Sequence, residues 1–317
     1  MRYIRQVIFE KIGENKQKLL ENSTVSIIGI GAIGSIAADL MARAGVNINL
    51  IDRDIVSLTN LQRQKLFNED DIGNAKALVA KNKLSKINSS IKINYNIMDL
   101  DTDTVNKLKN SDLILDCTDN FETRYLINEF SIKEKIPWVY SAVIGSAGMI
   151  MNIIPDKTPC FKCIFKEPTA LLGTCETDGI LNTIPTLIAS LQVTEAIKIL
   201  TKQQYSKELI YYDIWTNKLI KHKLSKAINC TVCNKNFEYL TGEKTQDVLK
   251  FCGSDHYQIK GRTFDLEDVK KKLSKIGVVK DFGEFISFNE LTIFKDRVLI
   301  KANSKEMAKS IYNKTLG

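Results

Sequence analysis

Long apolar runs are missing from this sequence of 317 residues. None reaches the roughly 18 to 20 residues that a membrane-spanning helix needs. Residues 1–5, MRYIR, lead into mixed sequence instead of the apolar centre of a secretion signal. We therefore expect a cytoplasmic protein that has no membrane partner.

Dense basic blocks are also missing, although the formal net charge is +8. The lysines are scattered along the chain and do not form the basic and aromatic strip that lines a nucleic-acid groove. Scattered lysines are typical of a solvated surface, so we expect no nucleic-acid partner. The same positive charge is compatible with an acidic protein partner.

Histidines are scarce, since the chain contains only His222 and His256. A catalytic triad built on histidine therefore has little support. Internal repeats and low-complexity tracts are missing as well, and 44% of the residues are hydrophobic. This composition is typical of a soluble globular protein, and the length allows one large domain and a smaller one.

Cysteines are present in an odd number, and four of the seven form two CxxC pairs. The pairs are Cys160 with Cys163 and Cys230 with Cys233. In a reducing compartment this spacing favours metal binding over disulfides. Each pair supplies two thiolates, so together they predict one tetrahedral Zn²⁺ site that has no open position for catalysis. Redox chemistry and an accidental arrangement are the alternatives.

The pattern of apolar residues predicts a doubly wound α/β sheet. A β-branched apolar run at 24–29 ends in GIGAIG, and a helix over 35–44 and a strand over 47–52 complete a βαβ unit. Further strands are predicted at 91–96, 112–117, 137–143, 149–154, 208–216 and 219–224, and a core helix at 184–200. The sheet is expected to be mostly parallel and Rossmann-like.

After the second CxxC pair the sequence becomes polar, and the tail then alternates predicted helices with two short strands at 291–294 and 297–301. We therefore place a domain boundary near residue 235. Residues 1–234 are interpreted as the main domain, which contains the zinc site, and residues 235–317 as a small α+β accessory domain.

The glycine loop predicts a nucleotide site. Gly29 allows a tight turn, Gly31 allows close approach of phosphate, and Gly34 allows close helix packing. The start of the following helix offers N–H donors to an anion. Asp52, at the end of the second strand, is placed to bind a ribose hydroxyl. These features fit ATP and NAD equally, and a purely structural turn is the alternative.

Charged residues follow the ribose acid. Arg63 lies in SLTNLQRQ at 57–64, and Lys76 lies a short distance beyond. Such positive charge suits phosphate transfer better than hydride transfer, because negative charge builds on the phosphates; two surface cations are the alternative. Asp119, past the end of a predicted strand, is placed to hold Mg²⁺. A helix cap is the alternative for Asp119, and is also considered for Asp116.

In their order, these motifs resemble the ThiF/MoeB/HesA family of ubiquitin-activating-enzyme-like adenylyltransferases from residue 2 to about residue 233. They are RYIRQ at 2–6, GIGAIG at 29–34, Asp52-Arg53-Asp54, SLTNLQRQ at 57–64, Lys76, DCTDN at 116–120 and the CxxC pairs with one cysteine between them. The resemblance implies ATP-dependent adenylation of the C-terminal glycine carboxylate of a ubiquitin-like or sulfur-carrier protein ending in Gly-Gly. Mg²⁺ and Zn²⁺ are the implied metals.

The resemblance also assigns roles to residues. It implies that Arg63 and Lys76 contact the triphosphate, that Asn60 and Asp52 help to hold the nucleotide, and that Asp119 positions the metal. The implied nucleotide-binding set is completed by Asp54 and Gln64.

Two further residues take their roles from the resemblance. Arg5 matches an arginine that reaches into the nucleotide site of the other subunit, which implies a homodimer. Cys175 matches the cysteine that some members link covalently to the activated carrier, and an idle loop cysteine is the alternative. A downstream sulfur donor or acceptor protein is the expected further partner. An NAD-dependent oxidoreductase and a non-catalytic binding protein are the competing functions.

Beyond residue 235 the chain departs from the minimal family pattern, and larger relatives carry an appended domain there. Cys252 is the only cysteine of this segment, which lacks a recognisable rhodanese-like active loop. We therefore expect the accessory domain to dock the carrier or an acceptor protein.

Overall fold

The computed structural model describes residues 2–167, 179–244, 248–250, 256–260 and 263–316. Its contacts divide the chain into two compact units, Met1–Lys244 and Thr245–Gly317. Residues 235–244, which we expected in the accessory domain, belong to the first unit by these contacts. The carboxylate of Glu129 holds this segment by accepting hydrogen bonds from three successive N–H groups, those of Glu238, Tyr239 and Leu240.

Eight strands of the first unit form one sheet. They are β1 (Thr24–Ile28), β2 (Asn47–Ile51), β3 (Ile93–Asn96), β4 (Leu113–Asp116), β5 (Trp138–Ile144), β6 (Ala147–Ile153), β7 (Glu208–Asp213) and β8 (Lys218–Lys223). Their order in the sheet is β3-β2-β1-β4-β5-β6-β7-β8. The pairs from β3 to β5 are parallel, and the pairs from β5 to β8 are antiparallel. The predicted α/β class with a mostly parallel sheet is confirmed.

Helices cover both faces of this sheet. They are α1 (Ile4–Ile8), α2 (Gly13–Asn22), α3 (Gly34–Ala44), α4 (Lys76–Ile87), α5 (Phe121–Glu134), α6 (Phe161–Ile164) and α7 (Thr183–Leu200). Residues of α3, α4 and α7 belong to the apolar cluster on one face, and residues of α5 and α6 to the cluster on the other. The central strands are mostly apolar because both of their faces are covered.

Helix α7 is the one described helix that is long and apolar enough to cross a membrane, although no such segment was expected. It packs against α3, β5 and β6, and a Cβ at Gly148 of β6 would lie 2.5 Å from the side chain of Ile188. The buried side chains of Gln192 and Glu195 form hydrogen bonds to other parts of the first unit. These contacts place α7 in the core of the first unit, as the sequence predicted.

The second unit is a smaller α+β structure. Its elements are β9 (Val248–Lys250), β10 (His256–Lys260), α8 (Leu266–Leu273), β11 (Lys280–Asp281), β12 (Phe285–Phe288), β13 (Leu291–Phe294), β14 (Arg297–Lys301) and α9 (Lys305–Thr315). The strands form an antiparallel sheet in the order β11-β12-β13-β14-β10-β9. The two predicted strands are β13 and β14. Strand β11 has only two residues, which is too little sequence for a period-two pattern to be recognised.

Candidate active site

The glycine loop lies between β1 and α3, where the strand order reverses between β1 and β4. Gly29 has a φ of +83°, and its N–H donates to the carbonyl of Ile51 at 2.8 Å. A Cβ at Gly34 would lie 1.9 Å from the carbonyl oxygen of Gly29. A Cβ at Gly31 would meet only the side chain of Gln64, at 3.8 Å. The turn itself therefore requires Gly29 and Gly34, whereas the loop is open at Gly31.

Asp52 directly follows β2 and is buried. One carboxylate oxygen accepts the N–H of Ile30, and the other accepts the N–H of Asp54 at 2.7 Å. Burial raises the pKa of Asp52, and the charge of Lys76 opposes this shift. The carboxylate thus fastens the glycine loop to the turn after β2. Because a carboxylate offers about four acceptor positions, it retains capacity for a ribose hydroxyl.

Lys76 begins α4 and is buried beside the same turn. Its ammonium lies 2.7 Å from the carboxylate of Asp54, and its N–H donates to the carbonyl of Asp54 at 2.9 Å. Burial disfavours the ammonium, but the carboxylates of Asp54 and Asp52 outweigh it and raise the pKa of Lys76. Lys76 therefore carries its charge at neutral pH, and the surface-lysine alternative is wrong.

Asp119 follows β4, is exposed to solvent and has no hydrogen-bond or ion-pair partner among the residues that the structure describes. The cap of α5 is Asn120, whose side chain accepts the N–H of Thr123 at 2.8 Å. The helix-cap alternative for Asp119 is therefore wrong. Desolvation by the surrounding protein raises the pKa of Asp119, and the nearby positive charges of Arg53 and Arg124 oppose this rise. Asp119 is thus a carboxylate available for a ligand.

Asp116, the last residue of β4, is fully buried and does not cap α5 either. Its carboxylate accepts the N–H of Thr118 at 3.0 Å and the hydroxyl of Thr118 at 2.6 Å. Nε of Arg124 lies 3.3 Å from the same carboxylate. The guanidinium of Arg124 is 5.5 Å from the ring centroid of Phe121 and 5.1 Å from that of Tyr140. This ion pair is a buried structural element beside Asp119.

Five carboxylates and three cations meet at this edge of the sheet. The ion pairs are Arg53 with Asp99 at 2.6 Å, Lys76 with Asp54 at 2.7 Å, and Arg124 with Asp116 at 3.3 Å. Two of the five carboxylates, those of Asp52 and Asp119, are in none of these ion pairs, and Asp52 accepts backbone N–H groups instead. The formal negative charges of the cluster therefore exceed the positive ones by two. Crowded charge of one sign is stabilised by a counter-ion. A single divalent cation would balance this cluster.

The segment 57–64 is held by its own hydrogen bonds. Asn60 is buried, and its side-chain oxygen accepts the N–H of Ser57 at 3.2 Å. Nη1 of Arg63 donates to the carbonyl of Thr59 at 3.0 Å. Within the described ranges no ion pair joins Arg63 to the acidic cluster. The nucleotide contacts expected of Asn60 and Arg63 remain predictions.

Two buried polar side chains in the glycine-loop region each have an oxygen with no hydrogen-bond partner within the described part of the chain. They are Ser35, the second residue of α3, and Gln64, which lies against Gly31. Buried polar atoms are nearly always hydrogen-bonded, so orphan atoms beside an open loop fit a site that receives a polar ligand. The sequence predicted this role for Gln64 but not for Ser35.

The four cysteines of the CxxC pairs lie together, with all four sulfurs within 4.8 Å of one another. The Sγ–Sγ distances are 3.7 Å for Cys160 and Cys163, 3.5 Å for Cys160 and Cys230, and 3.5 Å for Cys163 and Cys233. Thiolates about 2.3 Å from a tetrahedral Zn²⁺ would lie about 3.8 Å apart. Burial and the neighbouring thiols raise the pKa of Cys160. Four thiolates at this spacing would require a cation, and the cluster is compatible with the predicted zinc.

Comparison with known proteins agrees with this geometry. The profile of the ThiF family matches residues 3–232. The chain belongs to the ThiF family. Over 333 aligned positions it is 34% identical to the sulfur carrier protein ThiS adenylyltransferase of Bacillus subtilis, and the match covers 100% of this chain and 99% of that relative. The B. subtilis match therefore extends beyond the family profile into the second unit.

Other ThiF-type proteins match the first unit. The molybdopterin-synthase adenylyltransferase of Escherichia coli is 35% identical over 240 residues, which cover 74% of this chain and 96% of that protein. The crystal structure of E. coli MccB with MccA-N7isoASN is 25% identical, with a TM-score of 0.66, over 74% of this chain and 75% of that one. The predicted enzyme class, adenylyltransferase, is confirmed by these relatives.

Arg5 lies exposed on α1. The ThiF resemblance implies that this arginine reaches into the nucleotide site of a second subunit. The structure brings it to no part of the acidic cluster in its own chain, within the residues described. Apolar side chains around it are exposed too, at 41% for Ile4, 65% for Ile8 and 56% for Phe9. Exposed apolar groups next to each other are typical of a surface that another protein covers.

Two cysteines singled out in the sequence are not described by the structure, and two arginines of the site were not predicted. Cys175 and Cys252 lie outside the described residues. Arg53 and Arg124 belong to the charge cluster, although no role was predicted for either. The sequence signal for Arg53 was its position between Asp52 and Asp54. No sequence signal pointed to Arg124, because its contacts form only when α5 packs on the sheet.

Proposed function

We propose that this chain uses ATP to adenylate the C-terminal glycine carboxylate of a small sulfur-carrier or ubiquitin-like protein. The observation that carries the proposal is Asp119, a carboxylate with no partner among the described residues, at a strand end beside the glycine loop and among three cations. The names of the B. subtilis and E. coli relatives support the substrate class. A hydride-transfer site has no need for this concentration of charge.

The reaction requires orientation and charge stabilisation more than proton transfer. An oxygen of the carrier carboxylate attacks the α-phosphorus of ATP, the bond from that phosphorus to the bridging oxygen breaks, and pyrophosphate leaves. The carboxylate is already ionised, so no base is needed. Lys76, which the carboxylates of Asp54 and Asp52 keep charged despite its burial, and the first N–H groups of α3 supply positive potential for the phosphates.

Two metals fit the residues that are present. Asp119 would hold Mg²⁺ together with phosphate oxygens, and the excess negative charge of the cluster suits a divalent cation. A Mg²⁺ ion held there would supply positive charge to the phosphates. Zn²⁺ would be held by Cys160, Cys163, Cys230 and Cys233 as a structural ion, because four thiolates leave no open position. The docking role of the second unit and the covalent role of Cys175 remain predictions.

The direct test is isotope exchange between pyrophosphate and ATP, with ThiS of B. subtilis, the carrier named for a relative, as the probe. We expect exchange that requires both the carrier and Mg²⁺, and a carrier whose mass increases by one adenylyl group. A ThiS variant that lacks its last glycine is the matched control. If ThiS and other carrier proteins that end in Gly-Gly all fail to support exchange, the proposed function is wrong.

A homodimer with Arg5 acting in the partner's site makes a separate prediction. Arg5→Ala and Asp119→Ala should each be inactive alone. Co-refolded or co-expressed in equal amounts, they should restore about a quarter of the wild-type exchange, because half of the dimers are mixed and each mixed dimer has one intact site. Mixing Arg5→Ala with an Arg5→Ala, Asp119→Ala double variant is the control and should restore nothing. An absence of complementation in proven mixed dimers would place Arg5 outside the partner's site.

A further inference from the structure

The turn that carries Asp119 is fastened from both faces of the sheet. We propose that Gln192 of α7, acting together with Arg124 of α5, positions Asp119 for adenylyl transfer. The inference rests on the proposed function, because it assumes that Asp119 acts in the reaction. Neither Gln192 nor Arg124 touches a reacting group in this arrangement, so both are positioning residues.

Gln192 bridges β4 and β5 where the two strands separate. Their pairing ends at Leu115 and Val139, and the carbonyls beyond that point need other donors. The amide nitrogen of Gln192 donates to the carbonyl of Asp116 at 2.9 Å and to that of Val139 at 3.0 Å. Its oxygen accepts the S–H of Cys117 at 3.4 Å. Where β4 and β5 separate, Gln192 therefore supplies the hydrogen bonds that a paired strand would otherwise supply.

Arg124 holds the same turn from the opposite face. Its Nη2 donates to the carbonyl of Thr118 at 2.5 Å and to that of Ser141 at 3.4 Å. The hydroxyl of Ser141 in turn donates to the carbonyl of Asp116 at 2.7 Å. Every residue from 116 to 118 is thus bonded to Gln192, Arg124 or Ser141. Asp119 is the next residue along the chain.

This arrangement matters for Asp119 because its own carboxylate has no partner among the described residues. Since no described residue bonds to the carboxylate of Asp119, the position of this carboxylate depends on the backbone of residues 116–118. Gln192 is completely buried in an apolar layer, where an amide is unfavourable unless its hydrogen bonds are satisfied, as they are here. A displacement of about 1 Å at a reacting group can lower a rate by about 100-fold.

The test is Gln192→Leu, which keeps the side chain's approximate size and removes its three hydrogen bonds. We expect kcat for carrier-dependent exchange to fall by about 10- to 100-fold, with less than about a 3-fold change in KM for ATP, and a higher Mg²⁺ concentration at half-maximal rate. Glu195→Leu is the matched control. Glu195 is buried on the same helix but bonds Asn152 and the N–H of Ser206, so its loss should lower stability and leave kcat unchanged.

A double variant separates positioning from general damage. If Gln192 acts through Asp119, Gln192→Leu should cost little further activity in an Asp119→Asn background. Additive losses, or a folded Gln192→Leu protein with wild-type kcat and Mg²⁺ dependence, would overturn the inference. Should Gln192→Leu not fold, Arg124→Lys, which keeps the charge but loses the forked donors, is judged by the same criteria. Wild-type exchange by Asp119→Asn would show that Asp119 has no part in the reaction and would also overturn the inference, whereas the proposed function is refuted only if the wild-type protein shows no carrier-dependent exchange.

Discussion

Asp119→Asn is expected to lower the rate of carrier-dependent exchange by about 10²- to 10⁴-fold, the range for losing a group that stabilises charge in the transition state. The substitution keeps the size of the side chain and removes its charge. Because this carboxylate has no partner among the described residues, folding should be unaffected, and the melting temperature should remain at the wild-type value. The measurement is exchange at saturating ATP over a series of Mg²⁺ concentrations.

The control for this variant is Asp70→Asn, the same chemical change at an exposed carboxylate of the first unit. It should leave both exchange and Mg²⁺ dependence unchanged. Binding of ATP without metal, measured by calorimetry, should weaken little in Asp119→Asn, because removing a negative charge does not disfavour an anion. An Asp119→Asn enzyme that keeps full exchange would show that the free carboxylate has another purpose.

The sequence predicted the parts of the site that follow from short-range rules. Gly29 and Gly34 could be foreseen because a tight turn before a helix leaves no room for a side chain. The cluster of four cysteines could be foreseen because each CxxC pair supplies two adjacent thiolates. The strands were recognisable because β1 and β4 are buried on both faces and are therefore apolar.

The remaining parts depend on contacts between distant segments. The pairing of Lys76 with Asp54 joins residues that are 22 positions apart, and the amide of Gln192 reaches two strands from a helix that follows much later in the chain. A sequence gives such a glutamine no distinguishing pattern. The helix-cap alternative for Asp119 was mistaken because Asn120, its neighbour, has equal capping ability. Local preference did not decide which of the two residues caps the helix and which has a carboxylate available at the charge cluster.

Cys230→Ser is expected to abolish zinc binding and to destabilise the first unit by on the order of 5 kcal/mol, since a structural zinc site contributes its binding free energy to folding. For a unit of this size the melting temperature should fall by about 10 to 20 °C. The structural reason is the separation of the ligands along the chain. Cys160 and Cys163 follow β6, whereas Cys230 and Cys233 follow β8, so the ion would join two segments that meet only in the folded protein.

Cys117→Ser is the matched control, because Cys117 is buried but lies outside the cluster. It should retain one zinc per chain by metal analysis. With four thiolate ligands the ion has no free position for a substrate, so exchange by Cys230→Ser should fall only in proportion to the folded fraction as the temperature rises. A zinc-free protein that stays fully folded yet has lost exchange would contradict this, and would move the ion from a structural role to a part in the reaction.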